Sequence, residues 1–300
     1  MSDDYVSTRR DFIRGTTFGA LGVALGLKTV GAHAAVGRVN GRAKVVLIRH
    51  PEVVDESGNC NADIISGMLD DAVVELFGAA SAAAAWQGIL KPDDVLGIKT
   101  NIWNFLHTPK ALEQAIKSRA MEVGISESNI SINDRSIRTD PVFQRATALI
   151  NTRPVRIHHW SGIGGCIKNY ITFLEQPFTI HGDSCADLGR VWKMPQAAGK
   201  TRLNVLVALT PQYWGLGPHS FSPKHVWPYK GLIVSTDPVA VDSVGVRLIR
   251  EMQLSKFGEE QKGQTSSKHI GYAETRHGIG IADPERIDII KLGWMENSLI

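Results

Sequence analysis

Apolar positions along the chain follow two rhythms. Lys44-Val45-Val46-Leu47-Ile48-Arg49 is a continuous apolar run closed by His50-Pro51, the form of a buried strand. Residues 61–77 carry Ile64, Ile65, Met68, Leu69, Val73 and Leu76 at helical spacing, and the alanine-rich run to Trp86 opens a further helix. After a turn at Lys91-Pro92-Asp93-Asp94, residues 95–101 predict a strand with a polar C-terminal end. Thr108-Pro109 opens a helix with proline at its first position, running to about residue 123. Residues 130–134 predict a third strand, 141–150 a helix, and 155–157 a short strand that delivers His158. In the second half the pattern predicts strands at 203–209, 231–235 and 286–291, a helix at 239–252, a polar surface loop at 255–267, and a short helix from Lys268. This alternation predicts an α/β fold: a largely parallel or mixed sheet sandwiched by helices. Ligands of such sheets collect beyond the carboxyl ends of the strands. Lys99, Asn101, Asn133, Asp134 and His158 all fall at predicted strand ends, which points to one shared cleft.

The first residues obey neither rhythm. Ser7-Thr8-Arg9-Arg10-Asp11-Phe12-Ile13 sets paired arginines before an apolar pair, residues 16–27 are a short glycine- and alanine-rich apolar run, and Ala32-His33-Ala34 has the form of a cleavage site. Residues 1–35 are therefore expected to be a twin-arginine signal peptide, 36–43 a linker, and 44–300 one α/β domain or two lobes. Twelve weakly hydrophobic residues fall short of the about 20 that span a bilayer, so no stable transmembrane anchor is expected. The expected location is periplasmic, with the twin-arginine translocase as partner during export of the folded chain. Among 300 residues, 43% hydrophobic and 21% charged, the net charge of +3 with no further basic block gives no case for a nucleic-acid partner.

The densest chemistry lies between Ile157 and Cys185. His158 and His159 sit side by side, and Ser161-Gly162-Ile163-Gly164-Gly165 leads into Cys166, Lys168 and Asn169. Glycines let backbone N–H groups approach a ligand oxygen and the lysine adds charge, so Lys168-Asn169 could bind a carboxylate or phosphate; the alternative is a tight turn with a surface lysine. His181, Asp183 and Cys185 would share one face of an extended segment, a donor set that suits zinc or another transition metal, with His158, His159 or His219 completing the shell. The alternative is structural polar packing. Cys166 with His158 or His159 could form a catalytic pair, or be a buried small side chain. Asp237, before a proline and a helix, is expected to cap that helix or face the cleft; Asp242 is expected to be buried and hydrogen-bonded, or to pair with Lys99 or Lys168. Trp214, His219, Phe221, His225 and Trp227 form an aromatic loop that would wall a pocket, meet a partner or fill the core. The three cysteines, Cys60, Cys166 and Cys185, make no haem c attachment motif and no four-cysteine iron–sulfur pattern.

Several of these motifs together resemble a known family. The 44–49 strand, Gly97-Ile98-Lys99-Thr100-Asn101, the glycine turn into Lys168-Asn169, Gly215-x-Gly217-Pro218, Ser235-Thr236-Asp237-Pro238-Val239-Ala240-Val241-Asp242 and Gly278-Ile279-Gly280 resemble the family catalogued as domain of unknown function 362. The resemblance runs from about residue 44 to about 291, and the segment from Ser235 to Asp242 is its most specific part. It implies kinship with chains carrying the same export signal, some with an appended ferredoxin-like cysteine cluster that is missing here.

Two functional expectations follow. In the first, an exported protein binds a small anion, metal or cofactor in a polar cleft beside a periplasmic redox system. Lys99, Asn101, Lys168, Asn169, Asp237 and Asp242 are its ligand-binding candidates. Lys168, His158 and His159 are the catalytic ones, lysine and asparagine positioning an anion and histidine moving a proton. In the second, the chain is a non-catalytic subunit or assembly factor of an exported complex, meeting its partner at residues 213–227.

Overall fold

The computed structural model describes residues 38–39, 41–217, 221–261 and 266–300; the expected signal peptide and His219 lie outside these. Among the described residues one mixed sheet contains β1 (Arg38–Val39), β2 (Arg42–Arg49), β3 (Leu96–Lys99), β4 (Ile130–Asn133), β5 (Ala148–His158), β6 (Gly162–Gly164), β7 (Thr201–Gln212), β8 (Gly231–Ser235) and β9 (Ile287–Gly293). The order is β1-β2-β8-β7-β5-β3-β4, with β9 on β2 and β6 on β5. Neighbours among β4, β3, β5 and β7 are parallel, whereas β7–β8, β8–β2 and β5–β6 are antiparallel. The parallel half therefore brings the C-terminal ends of β3, β4, β5 and β7 to one edge of the sheet.

Helices cover both faces: α1 (Ala62–Phe77), α2 (Ala82–Ile89) and α3 (Lys110–Val123) on one, and α4 (Pro141–Gln144), α5 (Cys166–Asn169), α7 (Pro238–Phe257) and α8 (Lys268–Thr275) on the other. The two-residue period of the strands divides their side chains between the layers. In β2, Ala43, Val45 and Leu47 enter the α7 core while Val46 and Ile48 enter the α1 core; in β7, Leu206 and Ala208 oppose Leu203, Val205, Val207 and Leu209. Asn61 starts α1 by accepting the Asp63 and Ile64 N–H groups, and Gly78, at φ 62°, ends it in the left-handed conformation.

The structure departs from the expected elements where tertiary pairing overrides local pattern. The helix expected over 141–150 stops at Gln144, because Ala148, Leu149 and Ile150 pair with Leu96, Gly97 and Ile98 of β3. β5 then runs through Asn151, Thr152, Arg153 and Pro154, which lack apolar alternation but continue the ladder with β7. The expected linker 36–43 contains β1 and the start of β2, paired Arg38↔Ala43 and Val39↔Arg42. Pro109 stands outside α3 at ψ 135° instead of opening it. Residues 255–257, expected in a loop, complete α7. No single described helix is long and apolar enough to cross a membrane.

Candidate functional site

The C-terminal edge of the parallel strands gathers charge that is almost wholly withdrawn from water. Lys99, Arg153, Arg156 and Lys168 are each at most 5% exposed, and buried Asp134, Asp242, His158 and His269 surround them. The two lysines are held very differently. Lys99 Nζ donates to Asp134 Oδ1 at 2.5 Å, the Thr100 carbonyl at 2.7 Å and Asn169 Oδ1 at 3.3 Å. Burial lowers Lys99 to about 8 against the pull of Asp134. Burial opposes the Asp134 carboxylate, but Lys99, the Ile102 N–H and Arg153 outweigh it and bring its pKa below the ordinary value. Among the described residues Lys168 has no carboxylate partner and one hydrogen bond, to Cys185 Sγ at 3.6 Å, and burial, with Arg153 and Arg156 adding to it, lowers it to about 8.

Asn169 is a lock between strands. Its Oδ1 accepts from Lys99 and Asn101, and its Nδ2 lies within 2.8 Å of Asn151 Oδ1 and 3.2–3.3 Å of the Thr152, Lys99 and Thr100 carbonyls. Asn101 passes the network on, since Arg156 Nη1 donates to its Oδ1 at 3.2 Å. These two amides sit in the cluster as expected, but as internal struts. Asn133 donates instead to Asp140 at 3.0 Å.

The glycine turn holds an anion that belongs to the protein itself. The Cys166 and Ile167 N–H groups donate to the two oxygens of Asp242 at 2.6 and 2.9 Å. A Cβ on Gly165 would run into that carboxylate, so the glycine is what lets helix α7 approach. A Cβ on Gly164 would lie 3.1 Å from Arg153 Nη2 and 3.4 Å from Arg156 Cγ, so this glycine makes room for both arginines. Burial raises Asp242 to about 7, against the two N–H groups and Arg153. Asp237 caps α7, accepting the Val239 and Ala240 N–H groups, and also takes the Ile281 N–H at 3.1 Å.

Arg153 is the hub. It is near enough to lower Lys99, Lys168, His158 and His269 and to favour the ionised forms of Asp134 and Asp242. Yet its guanidinium donates no hydrogen bond to a described residue, and its Nε is buried without a partner. Arg156 is better placed, its guanidinium lying 4.5 Å from the Trp103 ring centre, although its Nε is also unpartnered. His269, 0% exposed, has no hydrogen-bond partner on either ring nitrogen, and burial, then Lys168 and Arg153, lower it to about 3. Burial, then Lys168, Arg153, Arg156 and His159, push His158 far below its ordinary value. Its Nδ1 accepts the Trp160 N–H at 3.2 Å, and its ring stacks on His159, which contacts the Leu216 carbonyl at 2.9 Å.

The metal expectation at His181, Asp183 and Cys185 requires an extended segment, and the structure does not provide one. Residues 177–180 form a 3-10 turn and α6 (Gly182–Cys185) follows, with Asp183, Ser184 and Cys185 at φ 46°, 55° and 61°. The three side chains diverge. His181 packs its ring at a tilt against Trp160, 4.3 Å between centres, Asp183 pairs with Lys268 at 2.6 Å on the surface, and Cys185 turns inward to Lys168. Among the described residues no group of three or more His, Cys, Asp and Glu side chains is placed to hold a metal ion. Cys166 is a core side chain whose thiol is raised by burial and by Asp242, the opposite of an activated thiolate. Trp214 and Trp227 pack against the core, while Phe221 stacks on Phe105 at 4.7 Å.

Sequence reasoning found Lys99, Asp134, Lys168 and His158 but passed over Arg153, Arg156 and His269. The available signal was two arginines beside Val155 and Ile157 in a run that ends at His158; His269 sits in a polar stretch with no such mark. A groove of about 530 Å³ on the opposite face is lined by Val54, Cys60, Phe105, Lys110, Pro154 and Thr210. It abuts the cluster through Leu106, whose carbonyl lies 3.5 Å from Arg156 Nη1. No curated protein and no solved structure matches the chain significantly. Residues 116–247, the stretch that carries Asp134, Arg153, Arg156, His158, Lys168, Asn169 and Asp242, match the family described as "Domain of unknown function (DUF362)".

Proposed function

We propose that this is an exported protein whose buried basic cluster binds a small, multiply charged anion. The observation that carries the reading is Arg153: a guanidinium 5% exposed, without a hydrogen bond to a described residue, among three other buried cations. An arginine stays charged at any ordinary pH, and Asp134 and Asp242, the carboxylates that favour its charge, make no hydrogen bond to it. Asp134 is engaged by Lys99 and Asp242 by two N–H groups, which leaves Arg153, Arg156 and Lys168 the charge to hold a ligand. Phosphate or a di- or tricarboxylate matches such a fork-and-ammonium set. Titration calorimetry with inorganic phosphate and with citrate tests it. Saturable binding to the wild type, weakened at least about tenfold in Arg153→Met, supports the reading; equal heats in both proteins, or none in either, reject it.

Export by the twin-arginine route into the periplasm rests on Ser7-Thr8-Arg9-Arg10-Asp11-Phe12-Ile13 and Ala32-His33-Ala34. Replacing both Arg9 and Arg10 by lysine should retain the full-length precursor in the cytoplasm on cell fractionation. An unchanged periplasmic product would remove this part of the proposal. Work beside a redox partner belongs to the same reading.

The reading as an accessory subunit is favoured by a surface that joins Phe221 of the expected 213–227 loop to residues 102–105. Phe105 is 55% exposed and Ile102 43% exposed, and Trp103, Phe105 and Phe221 form one aromatic group. A partner would dock there, and Phe105→Ser would release it while anion binding persisted.

A further inference from the structure

Two buried lysines on neighbouring segments invite comparison. Lys99 spends its ammonium on a carboxylate, a carbonyl and an amide oxygen. Lys168, 3% exposed, has only the sulfur of Cys185, and its neighbours Arg153 and Arg156 are cations. An ammonium in that position lacks the oxygen acceptors that would stabilise it, so its neutral form is more accessible than that of a surface lysine. A neutral, buried amine beside fixed cations is the arrangement that makes a lysine a nucleophile toward carbonyl carbon.

We propose that Lys168 forms an imine with the carbonyl of a small 2-oxo acid whose carboxylate is held by Arg153. This rests on the anion-binding reading and names the class of anion. The Lys168 nitrogen lone pair attacks the carbonyl carbon while the C=O π pair moves to oxygen. One proton passes from nitrogen to that oxygen, giving a carbinolamine. Loss of its hydroxyl as water leaves a C=N bond; amine and ketone enter, imine and water leave, with no change of oxidation state. His269, whose two buried ring nitrogens have no hydrogen-bond partner among the described residues, would carry the proton between nitrogen and oxygen. Cys185, raised by burial, remains a neutral thiol that leaves the amine as the stronger nucleophile at neutral pH. With Lys168 lowered to about 8, its neutral fraction at pH 7 exceeds that of a surface lysine by a factor on the order of 10².

The full chain is incubated with pyruvate and then with sodium borohydride, which reduces an imine to a stable secondary amine. The intact mass should rise by the acid less one oxygen atom, and peptide mapping should place the label on Lys168 at many times the level on exposed Lys110. Label absent from Lys168, or no greater there than on Lys110, overturns the inference. Lys168→Arg, which keeps the charge, should lose the label; if that variant does not fold, mapping of the wild type decides alone. Phosphate binding without a Lys168 label sinks the imine and leaves the anion reading standing. Neither binding nor label sinks both.

Discussion

At the scale of single residues the cluster opposes stability to function. Arg153→Met removes a buried charge that makes no hydrogen bond to a described residue and is met only at a distance by Asp134 and Asp242. Chemical denaturation should therefore find this variant as stable as wild type or more so, by up to about 3 kcal/mol, even as phosphate binding is lost. A loss of stability greater than about 1 kcal/mol would mean that the guanidinium is internally satisfied. Asp134→Asn goes the other way, stripping Lys99 of its only carboxylate partner among the described residues, and should cost about 3–5 kcal/mol. The histidines set the acid limit. Burial brings the pKa of His269 down to about 3 in the folded state, so between there and about 6.5 the unfolded chain binds the extra proton. Stability thus falls as pH drops through that window, and His269→Gln should flatten the fall in a series of denaturant midpoints. On the alkaline side Lys99 and Lys168, both lowered to about 8, lose their protons above it, so anion affinity should weaken from pH 8 upward. Lys99 and His158 were legible in the sequence because each ends an apolar run. Arg153 was not, because its neighbours Asn151, Thr152 and Pro154 hide the strand that buries it.

Among the elements, the turn between β6 and α5 is where sequence and structure meet most closely. The Ser235–Asp242 segment and the glycine turn lie far apart in the chain, yet Asp242 accepts the Cys166 and Ile167 N–H groups. Asp242→Ala would orphan both donors and should cost about 2–5 kcal/mol in thermal unfolding. Gly165→Ala would press a methyl group into the same carboxylate and should cost about 1–3 kcal/mol. A result near zero for both would show that the turn tolerates separation from α7. The glycines were legible as an anion-holding turn; that the anion is the protein's own Asp242 was not, since no local pattern reports a partner so distant. The strands β2, β3 and β8 were readable from their continuous apolar runs, which two buried faces require. The failures at α4 and in the 177–185 segment have different causes: at α4 pairing with β3 overrides a helical pattern, and the second failure is one of alternation. Alternation along a short stretch does not distinguish a strand from successive turns, and the left-handed residues Asp183, Ser184 and Cys185 carry no glycine to announce them.

For the molecule as a whole, the α/β class and a parallel or mixed sheet followed from the order of elements, while which neighbours run antiparallel did not. A parallel partner and an antiparallel one look alike in a buried run; only the connection lengths and the far side of the sheet decide. Here the decision involves β9, which runs parallel to β2 with Ala43 opposite Ile287 and Gly293 opposite Arg49. Arg49 lies between the Tyr229 and Trp294 rings at 4.2 and 4.3 Å and donates to the Tyr229 and Glu296 carbonyls. A chain cut before Ile287 should consequently fail to give a cooperative unfolding transition, which calorimetry of the truncated protein would show. The same pairing sets a clock on biosynthesis. Every strand from β3 to β8 leaves the ribosome before β9 can close beside β2, so a chain clipped ahead of Ile287 leaves that side of β2 open even after β1 and β8 have paired with it.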